Sequence, residues 1–211
     1  MDLTSREELE QALYNDGYQL ASEIPVADGG SASLLSALEK MYTMLDMFLD
    51  SFIENASSSA DLPDCKKGCA YCCHQAVFAQ EHEFRYLKNW IFNNMEPEEI
   101  DDLRERAKHK KKDTDFLSNE SRLLFKAPCP LLKDNACMAY AARPVACRIY
   151  LSKNLASCIA DFYQPADKTQ FPDLYELPLR LGRKLNEGFS NKLQDLGFST
   201  TEFRMEEGLL H

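Results

Sequence analysis

Eight cysteines in 211 residues constrain this chain more than any other feature, because what they build depends on where the chain resides. The chain opens Met1-Asp2-Leu3-Thr4-Ser5-Arg6, acidic and polar, whereas a secretory signal needs a basic start followed by an apolar run. No apolar stretch approaches the ~18 residues needed to cross a membrane. Both readings point to the cytoplasm, where thiols are kept reduced. Four structural disulfides are then disfavoured, and metal or cluster ligation becomes the leading role for the thiols.

The cysteines fall into two groups. The first is Cys65-x3-Cys69-x2-Cys72-Cys73. On an α-helix, at about 100° per residue, all four would share one face. Along the axis, at about 1.5 Å per residue, Cys65 and Cys73 would still stand roughly 12 Å apart. Zinc holds sulfur at about 2.3 Å, so a regular helix cannot deliver four thiols to one ion. Either the segment starts as a loop, which Gly68 permits, or the thiols serve more than one metal atom. The adjacent pair Cys72-Cys73 favours the second alternative, since neighbouring helical side chains diverge. His74 and His82 are candidate nitrogen ligands, although a histidine beside such a cluster is more often outside the ligand set.

The second group is Cys129, Cys137, Cys147 and Cys158. Pro128 and Pro130 flank Cys129 and hold it on a stiff loop. A four-thiolate centre carries a formal charge of about −2 that needs compensation when buried. Arg143, Arg148, Lys66 and Lys67 are candidates for it, and the two arginines can also orient an anionic group through paired hydrogen bonds.

Charge is distributed unevenly. Residues 1–60 hold 11 acidic and 2 basic residues, whereas 61–211 hold 23 and 22. The chain as a whole is at −10, which disfavours general binding of nucleic acid or anionic lipid. We read an acidic N-terminal helical arm over 1–60 and a cysteine-cluster domain with a C-terminal helix over 61–211. Residues 20–33 and 55–61 read as loops. Leu34, Leu38, Met41, Leu45, Phe48 and Phe52 form a helical stripe over 34–54, which suits core packing and also a homodimer seam. Two helices broken at Pro97 occupy 80–118, and the basic run Lys108 to Lys112 reads as a solvated helix face. A final helix spans 173–196, starting or kinking near Pro178. Without β-α-β rhythm the fold is expected to be mostly α, a compact helical domain with cysteine-rich metal-binding loops.

The string Cys65-x3-Cys69-x2-Cys72-Cys73, Pro128-Cys129-Pro130-Leu131, then Cys137-x2-Tyr140-x2-Arg143-Pro144-x2-Cys147-Arg148 resembles the YkgJ-like cysteine-cluster family. That family is described as zinc- or iron-chelating and includes the flagellin lysine N-methylases. The resemblance covers roughly 62–160 and implies a zinc or iron–sulfur centre. The family's usual first gap is two residues, and here it is three. Cys-x3-Cys-x2-Cys is also the spacing of radical S-adenosylmethionine enzymes, but their glycine-rich β/α barrel does not suit a chain with 8 Gly and no such rhythm. S-adenosylmethionine on a helical scaffold stays open through the similarity to the methylases.

Two functions follow. One is a metalloprotein with iron–sulfur or zinc held by both cysteine groups, modifying a peptide or protein by analogy with the methylases. The other is a structural zinc module that mediates protein–protein interaction. No phosphate loop, dinucleotide fingerprint, His-Glu-x-x-His or Gly-x-Ser-x-Gly motif points elsewhere.

Overall fold

The computed structural model describes residues 3–25, 31–58, 62–66 and 68–211. The chain is mostly helical. Its contacts divide it into two units that do not follow chain order: Met1–Leu62 with Tyr175–Thr201, and Pro63–Leu174 with Glu202–His211.

The first unit is built from three helices, α1 (Leu3–Ser22), α2 (Ser31–Ser58) and α8 (Glu176–Asp195). Helix α8 packs along α1, so the C-terminal helix, grouped above with the cysteine domain, belongs to the N-terminal unit. Two glycines allow that packing. A Cβ on Gly17 would lie 2.0 Å from the Leu185 carbonyl oxygen, and one on Gly188 would lie 1.9 Å from that of Tyr14. Tyr18 donates to Asp195, Asn191 to Tyr14 and Arg180 to Glu10 along the same pair. The stripe on α2 is buried at Leu34, Leu38, Met41 and Leu45 and half-buried at Phe48 and Phe52. Pro178 sits in the first turn of α8, where it costs no intrahelical hydrogen bond.

Two loops are shorter than their composition predicts. Helix α1 runs into the 20–33 segment, and α2 runs through the serines to Ser58. Residues 23–25 follow α1 outside the helix, and 26–30 and 59–61 lie outside the described residues.

The second unit carries the cysteines. Strand β1 (Phe78–Gln80) pairs antiparallel with β4 (Glu202–Arg204), Phe78 opposite Arg204 and Gln80 opposite Glu202. Helix α3 (Glu81–Asn94) follows β1 directly, started by a reciprocal cap between Gln80 and Glu83. As expected, the two helices divide at Pro97, which is the first residue of α4 (Pro97–Thr114), where its missing N–H is not needed. Phe84, Leu87, Ile91, Leu103, Leu131 and Met205 form the core between these helices and α9 (Met205–Leu210). A Cβ on Gly208 would meet the Phe84 ring at 2.3 Å, so α9 seats directly on α3. The remaining elements are short: α5 (Asn119–Leu124), β2 (Leu132–Lys133), β3 (Ala136–Cys137), α6 (Val145–Arg148) and α7 (Leu155–Tyr163). No helix among the described residues is long and apolar enough to cross a membrane.

Candidate metal centre

Cys65 and Cys69 lie on a loop, so the first group does begin outside a helix. Gly68, at φ 91°, turns this loop in a conformation that disfavours any side chain. Asp64 anchors it by donating its amide to Ser152 and accepting from the Leu155 amide at 2.8 Å. The Ser152 amide donates to the Cys65 sulfur at 3.1 Å. Cys72 and Cys73 occupy a 3-10 helix over Tyr71–His74. With three residues per turn, adjacent side chains there diverge by about 120°, more than on an α-helix. His74 spends its Nδ1 on the Ala70 carbonyl at 2.9 Å. His82 is buried on α3, and Lys67 lies outside the described residues.

Backbone hydrogen bonds tie the second group to the first. The Cys129 amide donates to the Cys73 carbonyl at 2.7 Å, and that of Ala127 to the His74 carbonyl at 3.0 Å. Cys129 then precedes a two-residue hairpin. Asp134 (φ 51°) and Asn135 (φ 58°) turn β2 back onto β3 and set Leu132 opposite Cys137. The backbone at Leu131 acts to lower the Cys129 thiol, and that at Ala139 the Cys137 thiol, each two residues beyond its cysteine. Cys147 rides on α6, whose Val145 amide donates to buried Glu83 at 2.8 Å. Cys158 is buried on α7, near Ser152 and Ser157, whose hydroxyls donate to the Asn154 carbonyl at 3.0 and 2.6 Å.

All eight cysteines are free thiols. Electrostatic neighbours link the two groups. Cys65 is affected by Cys72, Cys69 and Cys158, while Cys147 is affected by Cys129, Cys72 and Cys137. Burial pushes the Cys129 thiol up to about 11, against the pull of the Leu131 amide and the Lys110 charge. It also raises Cys147, Cys137, Cys158 and Cys65; although Cys65 is exposed as a residue, its sulfur faces Ser152. Cys72 is raised first by its hydrogen bond with Cys73 and then by burial. Among the described residues, no three histidine, cysteine or carboxylate side chains are drawn together to coordination spacing. The donor set is nevertheless all sulfur, which suits zinc and iron.

The two arginines differ in role. Arg143 lies beside Cys137, acts against the rise of its thiol, and stacks on the Tyr140 ring at 3.8 Å. Arg148 is fully buried and donates to the carbonyls of Arg143 and Ala141, bracing the loop that presents Arg143. Lys66 is exposed.

One charged residue beside the thiols escapes the sequence reading. The basic run is not uniformly solvated: Lys108 and Lys112 are exposed, but Lys110 is buried. Its ammonium donates to the Ala127 carbonyl at 3.0 Å, lies 4.0 Å from Glu206, and is felt by Cys129 and Cys73. Spacing was the available signal. Leu103, Ala107, Lys110 and Thr114 step by four, three and four along the buried face of α4.

A family model named CxxCxxCC and described as "Putative zinc- or iron-chelating domain" matches residues 64–170, a span containing all eight cysteines. No curated protein and no solved structure matches the chain.

Proposed function

The chain belongs to the CxxCxxCC family, and from that premise we propose that it holds zinc or iron through thiolates of both cysteine groups. The observation that carries this reading is the hydrogen bond from the Cys129 amide to the Cys73 carbonyl at 2.7 Å, which holds the two cysteine groups against each other. At Cys65 the Ser152 amide donates to the sulfur at 3.1 Å, a bond that favours the anionic sulfur that a soft cation takes. The backbone at Leu131 and Ala139 acts in the same direction on the Cys129 and Cys137 thiols.

Bound metal would supply cross-links between the 65–73 loop, the hairpin with α6, and α7. The protein's own part is to hold the sulfurs, exclude water and balance charge with Lys110 and Arg143. We read the centre first as a fold-organising one and second as the core of an enzyme acting on a peptide or protein. The two differ in access, because catalysis needs a metal position not filled by protein. The test is anaerobic purification followed by elemental analysis and an absorption spectrum. Iron–sulfur is brown and absorbs near ~400 nm, whereas zinc is colourless. Adding a small thiol or S-adenosylmethionine to iron- or cobalt-loaded protein then separates the readings. A changed spectrum supports the catalytic one, and an unchanged spectrum supports the structural one. Protein that retains neither zinc nor iron refutes both.

A further inference from the structure

We infer that Glu206 is a positioning residue for the cysteine centre: it seats the Lys110 ammonium on the Ala127 carbonyl and so holds the 127–129 segment, with Cys129, against Cys73 and His74. The inference rests on the metal-binding reading above for its effect on metal, whereas the positioning itself is a property of the chain alone.

The chain leaves the cysteine unit at Leu174 and returns to it at Glu202. The returning segment is fixed at several points. Strand β4 pairs with β1, the Met205 amide donates to the Val77 carbonyl at 2.9 Å, and Met205 and Gly208 are buried. Glu206 therefore has a set place in the unit, and there it meets two cations from different elements. One carboxylate oxygen lies 2.9 Å from Nε of Arg204, and the other lies 4.0 Å from Nζ of Lys110 on α4. The three side chains are at most 5% exposed, so water neither solvates nor screens their charges. Two buried cations without an anion between them would repel, and Glu206 is the carboxylate that lets both stay. The terminal nitrogens of Arg204 have no hydrogen-bond partner among the described residues, so its charge is met by the ion pair with Glu206.

Lys110 carries the effect to the cysteines. Its ammonium donates to the Ala127 carbonyl at 3.0 Å. The amide of that same residue donates to the His74 carbonyl at 3.0 Å, and the Cys129 amide donates to the Cys73 carbonyl at 2.7 Å. These two bonds tie the cysteine groups together, yet 127–129 belongs to no helix or strand, and Pro128 between them has no N–H to add. The Lys110 side chain is thus an anchor that the segment's own backbone does not supply. Charge agrees with this placement. Two cations and one carboxylate leave the cluster at +1, and Cys129 and Cys73 are near enough for their thiols to bear on Lys110. Spare positive charge there suits sulfur that becomes negative when it ligates.

The experiment uses the full chain and two readouts: amide hydrogen exchange of the reduced, metal-free protein, and zinc release from the loaded protein to a chromophoric chelator. Lys110→Met leaves the Arg204–Glu206 pair balanced. It should speed exchange of the Ala127 and Cys129 amides about tenfold or more, and zinc release by about 10–100-fold. Glu206→Gln should do the same, and Glu206→Asp, which keeps the charge, should recover part of the loss. Adding Glu206→Gln to Lys110→Met should bring little further rise, because the two act through one contact. Gly188→Ala, which crowds α1 against α8 in the other unit, should leave both readouts unchanged. If Glu206→Gln does not fold, Lys110→Met and Glu206→Asp decide the matter. Unchanged exchange at Ala127 and Cys129 in Lys110→Met, fully additive effects in the double variant, or equal changes in Gly188→Ala would overturn the assignment. A chain that takes up no zinc would count against the metal reading, and the exchange data would still decide the positioning.

Discussion

Arg148 shows how a charged residue can belong to a metal domain without facing the metal. Its guanidinium is buried and spent on two carbonyls of the loop that carries Arg143. Arg148→Ala would leave those carbonyls buried and unpaired, at about 1–3 kcal/mol each. We predict a loss of roughly 3 kcal/mol in chemical denaturation, with only partial recovery in Arg148→Lys, which lacks the planar fork. A change below about 0.5 kcal/mol would show that the loop does not depend on it. Sequence reasoning placed both arginines near the thiols on charge alone. It could not distinguish the one that faces Cys137 from the brace behind it, because that depends on which carbonyls the 140–148 turn leaves unsatisfied. Lys110 is the converse case. Its neighbours Lys108, Lys111 and Lys112 masked a buried position that spacing from Leu103 and Ala107 would have revealed.

Elements follow local patterns closely where periodicity is strong. The stripes on α2, α3 and α8 predict helices that the structure contains, and Pro97 marks the start of α4. What periodicity cannot report is which helices meet. The pairing of α1 with α8 is written in Gly17 and Gly188, two small residues separated by most of the chain. Gly188→Ala forces a Cβ into the Tyr14 carbonyl, and we predict a destabilisation of about 1–3 kcal/mol by overpacking. Thermal melts of this variant check it, and an unchanged midpoint would argue against close packing of the pair. The short strands were missed for another reason. Runs of two or three residues carry no alternation, and only Asp134-Asn135 at the β2–β3 turn offered a hairpin signal.

At the scale of the whole molecule, metal held by the cysteines would connect chain segments that short elements alone hold weakly. Residues 125–154 contain two two-residue strands, a three-residue 3-10 helix (Tyr140–Ala142) and a four-residue α6, too little regular structure to fix the thiols by itself. If metal joins Cys65–Cys73 to Cys129–Cys158, its binding free energy is also folding free energy. We predict that chelation, or Cys69→Ser, lowers stability by about 3 kcal/mol or more, which is roughly 10 °C in melting temperature for a chain of this length. Unchanged melting after verified metal removal would defeat an organising role. The cysteine spacing made the candidate centre readable before the fold. The setting of the individual thiols was not, since it depends on a loop turned at Gly68, a 3-10 helix that carries Cys72 and Cys73, and the Ser152 amide that holds the Cys65 sulfur.

The most direct test of thiolate metal binding by both cysteine groups is one paired measurement on protein purified without air: metal content per chain, and the number of thiols that react while the chain is folded. We predict at least two zinc or iron atoms per chain with most of the eight cysteines protected. Protein free of both metals, with its thiols reacting as freely folded as unfolded, would contradict the account.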